Sequence, residues 1–136
     1  MTSRVTEVSI DCHDPQRLAE FWCAVLGYEV LDKREDLVEI GSWHPTPEAV
    51  LAQAHAPTLV FAQVPESKSV KNRVHLDLSP IDRGQDEEVA RLLALGARPV
   101  DIGQGVQPWV VLADPEGNEF CVLRSLAPHA PPATTA

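Results

Sequence analysis

The sequence has few of the features that mark disulfide-bonded, nucleic-acid-binding or membrane proteins. Its three cysteines, Cys12, Cys23 and Cys121, are an odd number with no CxxC pair, so the sequence indicates neither a disulfide framework nor a structural zinc knuckle, and reduced thiols are the expectation. Lys and Arg number 11 against 20 Asp and Glu, for a formal charge of -9, so nucleic acid and anionic membranes are not expected partners. No apolar run is long enough for a membrane span or a signal peptide. These absences predict a cytoplasmic protein.

Several catalytic signatures are missing as well. There is no GxSxG elbow, phosphate-binding glycine loop, HExxH pair or dinucleotide fingerprint, which sets aside the enzyme classes that depend on them. What the chain does have is length and apolar content, because 136 residues with 44% hydrophobic composition suffice for one domain with a buried core. We expect a single domain over residues 1–126, followed by a disordered tail at 127–136 that is rich in Pro, Ala and Thr.

A short repeat divides this domain in two. The stretch from Leu26 to Val30 closes an amphipathic helix and opens a strand, and the stretch from Leu95 to Val100 does the same 69 residues later. An offset of about half the chain indicates two similar modules, each a strand, a helix and then three strands. The modules are expected at about 5–64 and 73–124, with residues 42–57 as an insertion in the first.

Periodicity and capping residues place the elements of each module. In the first, Asp14 and Pro15 begin a helix that Gly27 ends, and the strands are expected at 5–12, 28–32, 37–40 and 58–64. A short helix is expected over 46–52 in the insertion, which is a candidate lid. In the second module the helix is expected at 85–95, and the strands at 73–79, 97–102, 108–112 and 118–123.

Two of the predicted strands carry one ionisable or polar face each. In the strand at 73–79, Arg73, His75 and Asp77 alternate with apolar residues that are expected to pack under a helix. The first strand has the same alternation, and its polar residues are Glu7, Ser9 and Asp11. Because the two strands occupy related positions in the modules, both polar faces are expected to line one cleft. A solvent-facing polar surface is the ordinary alternative for an antiparallel strand.

Several motifs, taken together, resemble one protein superfamily. They are Asp14-Pro15, Phe21-Trp22, Leu26-Gly27, the stretch from Lys71 to Leu78 and the stretch from Asp114 to Leu123. This set is similar to the vicinal oxygen chelate superfamily, and more narrowly to its small glyoxalase-like and bleomycin-resistance-like domain proteins, over roughly residues 5–124. The resemblance implies an α+β fold of paired βαβββ modules, whose sheets form an open, curled barrel with helices outside.

The resemblance also implies where a divalent metal would bind. In catalytic members, His, Gln or Glu side chains on the first, fourth, fifth and eighth strands hold the metal, which chelates vicinal oxygens of the substrate. The matching positions here are Glu7, an apolar residue of the fourth strand, His75 and Cys121. The apolar residue and the cysteine depart from the ligands that nickel, manganese or iron prefer. A zinc site of Glu7, His75 and Cys121 with a water, and a metal-free protein in which His75 is hydrogen-bonded to Glu7 or Asp77, both stay open.

A small-molecule ligand is implied, with two functions open. In the first the protein is a lyase or isomerase, in which His75 is metal ligand or general base and Arg73 binds an anionic group rather than forming an ion pair across the strand. In the second it is a non-catalytic binder that sequesters a ligand or antibiotic. The ligand-binding residues expected for both are Glu7, Ser9, Asp11, Asp77, Trp109 and Cys121. A homodimer is one expectation, because superfamily members often pair modules between chains, and closure within one chain is the other.

Overall fold

The chain forms two compact units in a computed structural model that describes residues 2–124 and 126. The first unit ends at Ser69 and the second begins at Val70. Each of the two expected modules falls within one unit, while the expected tail at 127–136 lies outside the described residues. No helix in the described part of the chain is long and apolar enough to cross a membrane.

The first unit is a four-stranded mixed sheet with one long helix and one short one. Its elements are β1 (Glu7–Cys12), α1 (Pro15–Leu26), β2 (Glu29–Lys33), β3 (Leu37–Gly41), α2 (Pro47–Leu51) and β4 (Thr58–Gln63). The strand order is β1-β4-β3-β2, and only the β1–β4 pair is parallel. The Asp14 side chain caps α1 by accepting from the Arg17 N–H, and Gly27 ends it in the left-handed conformation at φ 68. The helix predicted in the insertion is present as α2, capped by Thr46.

The core of the first unit lies between α1 and one face of its sheet. Phe21 and Trp22 on α1 are buried in edge-to-face contact, with ring centroids 5.3 Å apart. The helix packs on β3 and β4, whose inward residues alternate with the outward ones. The opposite sheet face is mixed: Thr58 Oγ1 donates to Glu39 Oε2 at 2.9 Å and the polar residues of β1 share that side, but so does Val60. The alternation that predicts a polar face on the first strand therefore holds.

The second unit repeats this arrangement without the insertion. Its elements are β5 (Asp77–Leu78), α3 (Gln85–Leu95), β6 (Arg98–Pro99), β7 (Val110–Ala113) and β8 (Glu119–Val122). The strand order is β5-β8-β7-β6, with the β5–β8 pair parallel and the others antiparallel. Both units thus follow the βαβββ order, which confirms the predicted α+β fold of paired modules. Each unit contains one four-stranded mixed sheet.

The expected strand at 73–79 is much shorter than predicted. Only Asp77 and Leu78 form β5, and Val74, which was expected to pack under a helix, is 82% exposed. Before this strand the chain is held to β8 by a side chain, since the Asn72 N–H donates to the carboxylate of Glu119 at 3.0 Å. Pairing with β8 begins only at Leu76, whose carbonyl accepts from the Cys121 N–H. The alternation correctly predicted that Arg73, His75 and Asp77 are exposed. It was wrong in predicting that Val74 is buried under a helix.

Candidate functional site

Three of the predicted site residues come together in the second unit. Asp77 stands opposite Cys121 in the parallel β5–β8 pair, and His75 precedes Asp77 by two residues. The ligand atoms of His75, Asp77 and Cys121 all lie within 4.8 Å of one another. We refer to these three residues as the His75 cluster. The parallel pairing of β5 with β8 brings Asp77 and Cys121 together, and His75 joins them from the segment just before β5.

The His75 cluster is buried at one end and open at the other. Cys121 is only 7% exposed, whereas His75 and Asp77 are both exposed. The Cys121 N–H donates to the Leu76 carbonyl at 2.9 Å, which holds the backbone of the cysteine against the residue between His75 and Asp77. A molecule from solvent can therefore reach the imidazole and the carboxylate, while the sulfur occupies a fixed position in the sheet.

Burial and Asp77 together keep the Cys121 thiol protonated. Burial raises the pKa of Cys121, and the charge of Asp77 and its hydrogen bond with the thiol raise that pKa further, against an opposing effect of Lys71. Because only the thiolate is a strong nucleophile, this environment does not activate Cys121 for attack on a substrate. The thiol instead serves as a hydrogen-bond donor to a carboxylate.

Lys71 is a neighbour of the cluster that sequence reasoning missed. Its Nζ lies 3.4 Å from His75 Nε2 and donates to the Asn72 carbonyl at 3.1 Å. The residue lies four positions before His75 in a segment that reads as a loop, so no periodic signal links the two side chains. A lysine ammonium has only donors, so the ring nitrogen that it faces is the acceptor of this contact.

Glu119 is a second residue that sequence reasoning missed. It is a buried carboxylate on β8, and it accepts the Asn72 N–H described above. Its place two residues before Cys121 puts both side chains on the same side of β8. That alternation is a signal that could have identified it. Glu119 positions the segment that leads into His75, since its contact with Asn72 holds the chain three residues upstream.

The turn before β8 fixes the strand that carries Cys121. Asp114 is fully buried, and its Oδ1 accepts from the backbone N–H groups of Glu116 and Asn118, both at 2.9 Å. The Asn118 side-chain amide also donates to both Asp114 oxygens. A buried carboxylate that meets several donors stabilises one turn geometry. The β7–β8 hairpin is thereby held in register for the His75 cluster.

The other predicted site residues are exposed in their own units. Glu7, Ser9 and Asp11 lie on β1 in the first unit, and Arg73 and Trp109 lie in the second. Trp109 is 38% exposed, directly before β7. That the β1 residues join His75 in one cleft stays a prediction.

The metal site implied by the superfamily does not fit the residues present. At the fourth-strand position, Val60 and Phe61 are both buried and apolar, so neither supplies a ligand atom. At the eighth-strand position a thiol replaces a carboxylate. An octahedral ion such as manganese, nickel or iron(II) takes oxygen and nitrogen ligands, so this chain lacks two members of the expected set. The His75 cluster offers nitrogen, oxygen and sulfur instead.

A small cavity lies elsewhere, at the insertion of the first unit. His55 forms one wall; its ring lies 5.3 Å from that of Trp43, and its Nδ1 is 2.8 Å from the Ala56 carbonyl. The cavity of ≈ 170 Å³ falls below the roughly 300 Å³ at which small-molecule sites begin. Its lining residues are Arg4, Val5, Thr6, Val50, Gln53 and His55. We therefore centre the candidate site on the His75 cluster.

Comparison with known proteins agrees with the fold described above. Residues 7–123 match the family model described as a glyoxalase-like domain, while no curated protein sequence matches the chain significantly. A glyoxalase/bleomycin resistance protein/dioxygenase family enzyme from Burkholderia phytofirmans PsJN is similar in structure, with a TM-score of 0.63, 17% identity, and coverage of 88% of this chain and 97% of its own. A glyoxalase-related enzyme from Fulvimarina pelagi is also similar in structure, with a TM-score of 0.59 and 15% identity. The match covers 89% of this chain and 87% of that one.

A further similar structure is a fosfomycin resistance protein. A mutant of FosX from Listeria monocytogenes, complexed with Mn(II) and 1S,2S-dihydroxypropylphosphonic acid, has a TM-score of 0.66 and 14% identity, and the match covers 94% of this chain and 95% of its own. Identities this low establish the fold alone.

Proposed function

This chain belongs to the glyoxalase-like domain family of the vicinal oxygen chelate superfamily, and from that premise we propose that it binds a small oxygenated molecule and acts on it as a lyase or isomerase. The observation that carries the proposal is the His75 cluster, in which an exposed imidazole and an exposed carboxylate meet a buried thiol. Such a mixture of donors and acceptors at one solvent-accessible point suits a ligand with neighbouring oxygens.

Two residues have catalytic roles in this proposal. His75 contacts the reacting oxygens, either as general base or through a bound metal. Arg73 is exposed two residues before His75, and its guanidinium binds an anionic group of the substrate through paired hydrogen bonds. The ligand-binding residues proposed beside them are Glu7, Ser9, Asp11, Asp77, Trp109 and Cys121.

The similar structures support a small, vicinally oxygenated substrate. FosX is named as a fosfomycin resistance protein, and the complex mentioned above holds a dihydroxypropylphosphonic acid. A phosphonate or carboxylate beside adjacent oxygens would use both Arg73 and His75. We extend only this chemical class to the present chain, since its metal donors depart from the superfamily pattern.

Turnover of defined compounds tests the proposal. The protein is incubated with fosfomycin, and separately with methylglyoxal and a small thiol, with and without added divalent metal, and products are followed by NMR. We expect turnover of a compound of this class, and its loss in His75→Ala with ligand affinity retained within a few fold. His44→Ala is the matched control, because His44 is an exposed histidine in the first unit. Equal turnover in His75→Ala and the parent protein would contradict the assignment.

A non-catalytic binder is the second candidate. The exposed Trp109 and the acidic side chains of β1 favour it, since a flat or cationic compound can stack on an indole and pair with carboxylates. Titration with bleomycin, followed by tryptophan fluorescence in the parent and in Trp109→Phe, tests this function. Tight binding without any turnover favours the binder. A homodimer in the cytoplasm completes the proposal, and gel filtration measures the oligomeric state.

A further inference from the structure

We propose that the His75 cluster is a zinc site formed within the second unit alone, with His75, Asp77 and Cys121 as ligands and a fourth position open to solvent. This donor set differs from the one that superfamily membership implies, because Asp77 takes part and no residue of the first unit is needed. The metal site does not depend on the proposed function. Only the identity of the molecule in the open position rests on it.

The distances suit a zinc ion after small side-chain rotations. Zinc bonds of roughly 2.0–2.3 Å in tetrahedral geometry place neighbouring ligand atoms roughly 3.3–3.8 Å apart. The three ligand atoms here already lie within 4.8 Å of one another. His75 and Asp77 are exposed, so their side chains have room to rotate, while Cys121 is held in the sheet. The cluster can therefore close on an ion without movement of the backbone.

Two of the three ligands, Asp77 and Cys121, lie on paired strands, and His75 lies in the segment just before β5. Asp77 and Cys121 are opposite each other in the parallel pair, and the Cys121 N–H to Leu76 carbonyl bond fixes their separation. Ligands on regular strands are held more accurately than ligands on loops, so Asp77 and Cys121 form the fixed part of the site and His75 the adjustable part.

The donor types select zinc over harder ions. A thiolate, an imidazole and a carboxylate are all ordinary zinc ligands, and three protein ligands with one open position are the pattern of catalytic zinc sites. Manganese and magnesium prefer oxygen ligands and gain little from sulfur. Cys121 is unsuited to the octahedral metal site of the superfamily, and its sulfur favours zinc over manganese and magnesium in this one.

Two features of the metal-free protein disfavour zinc binding, the proton of the Cys121 thiol and the ammonium of Lys71, and both can be displaced. The Cys121 thiol must lose its proton, which leaves for the solvent as the zinc–sulfur bond forms, so one proton is released for each ion bound through the thiolate. Lys71 Nζ lies 3.4 Å from His75 Nε2, and this exposed side chain must swing away when that nitrogen binds. Neither change requires a buried group to move.

Cobalt spectroscopy of the full chain tests the site directly. Metal-free protein is titrated with Co(II), which reports a thiolate ligand by a sulfur-to-metal charge-transfer band in the near ultraviolet. We expect the absorbance of this band to reach its maximum at one equivalent of Co(II) per chain. Zinc should abolish the band by displacing cobalt, and Cys121→Ser should not show it. Cys23→Ser is the matched control, because Cys23 lies on α1 in the first unit. Absence of the band in the parent protein, or its persistence in Cys121→Ser, would overturn the proposal.

A second pair of variants separates this donor set from one that uses the first unit. Zinc affinity is measured by competition with a chromophoric chelator in Asp77→Asn and in Glu7→Gln, two exposed carboxylates changed to amides. We expect Asp77→Asn to weaken zinc binding by about tenfold or more and Glu7→Gln to leave it unchanged. The reverse result would overturn the single-unit site. Because no substrate is present, a failed turnover assay would leave this result unaffected.

Discussion

Asp77 on β5 and Cys121 on β8 stand opposite each other in a parallel strand pair, where the carboxylate raises the pKa of the thiol through its charge and a hydrogen bond. The pair joins the buried thiol of the His75 cluster to one of its exposed groups. Together with burial, Asp77 keeps the Cys121 thiol protonated in the metal-free protein, where the thiol is a hydrogen-bond donor. A cation that displaces the proton meets a thiolate and a carboxylate together.

The first prediction concerns the reactivity of Cys121. In Asp77→Asn the negative charge is removed, so the pKa of Cys121 falls toward the value set by burial alone and the thiolate fraction rises at any pH below that pKa. We expect alkylation of Cys121 by iodoacetamide at mildly alkaline pH to speed up several-fold in metal-free protein. Mass spectrometry of the labelled peptides measures the rate at each cysteine, and Cys23 is the internal control. An unchanged rate at Cys121 would contradict the carboxylate–thiol contact.

The second prediction tests the length of β5. Val74 is 82% exposed, whereas Val122 on β8 is fully buried. Val122→Ala is therefore expected to lower the free energy of unfolding by about 2–3 kcal/mol, and Val74→Ala by less than about 0.5 kcal/mol. Urea denaturation of both variants gives the comparison. Equal losses of unfolding free energy in the two variants would mean that Val74 is buried, as the alternation predicts.

The third prediction concerns the turn that precedes β8. Removal of the Asp114 carboxylate leaves the N–H groups of Glu116 and Asn118 without their acceptor inside the protein. We expect Asp114→Ala to cost about 2–3 kcal/mol of unfolding free energy, and Asp114→Asn less, because the amide oxygen still accepts. Thermal unfolding followed by circular dichroism measures both. A negligible effect of Asp114→Ala would show that the turn does not fix the hairpin.

The fourth prediction concerns the lysine beside His75. Lys71→Ala removes a positive charge that lies 3.4 Å from His75 Nε2, so the free energy of zinc binding becomes more favourable. Exposed charges interact weakly, so the expected gain in zinc affinity is about two- to fivefold. Lys68→Ala, three residues earlier in the chain, is the control. A loss of affinity in Lys71→Ala would mean that the lysine supports the site rather than opposing it.

Elements with local signals were predicted accurately from the sequence. The bounds of α1 match because Asp14, Pro15 and Gly27 act on their own neighbours through capping and backbone preferences. The length of β5 was not predictable, because it depends on where the segment meets β8, more than 40 residues further along the chain, as at Asn72 and Glu119. Strand alternation describes the faces of a strand, and it does not say where pairing with another strand stops.

The candidate site divides in the same way. His75 and Asp77 were predicted from alternation, and Cys121 from its place in the eighth strand. Lys71 was missed because a lysine in a loop carries no periodic signal of its contacts, whereas the alternation of Glu119 with Cys121 was a signal that could have been used. Whether the residues of β1 belong to the same site depends on the arrangement of two units, which local patterns do not encode.

Metal selectivity is the most direct test of the central claim that the His75 cluster is the reactive centre of this protein. The full chain is dialysed against an equimolar mixture of zinc, manganese, nickel and iron(II), then against metal-free buffer, and its metal content is measured by elemental analysis. We expect close to one zinc ion per chain, little of the other metals, and no retention in Cys121→Ser. Retention of manganese or iron in place of zinc, or equal zinc retention in Cys121→Ser, would contradict the account.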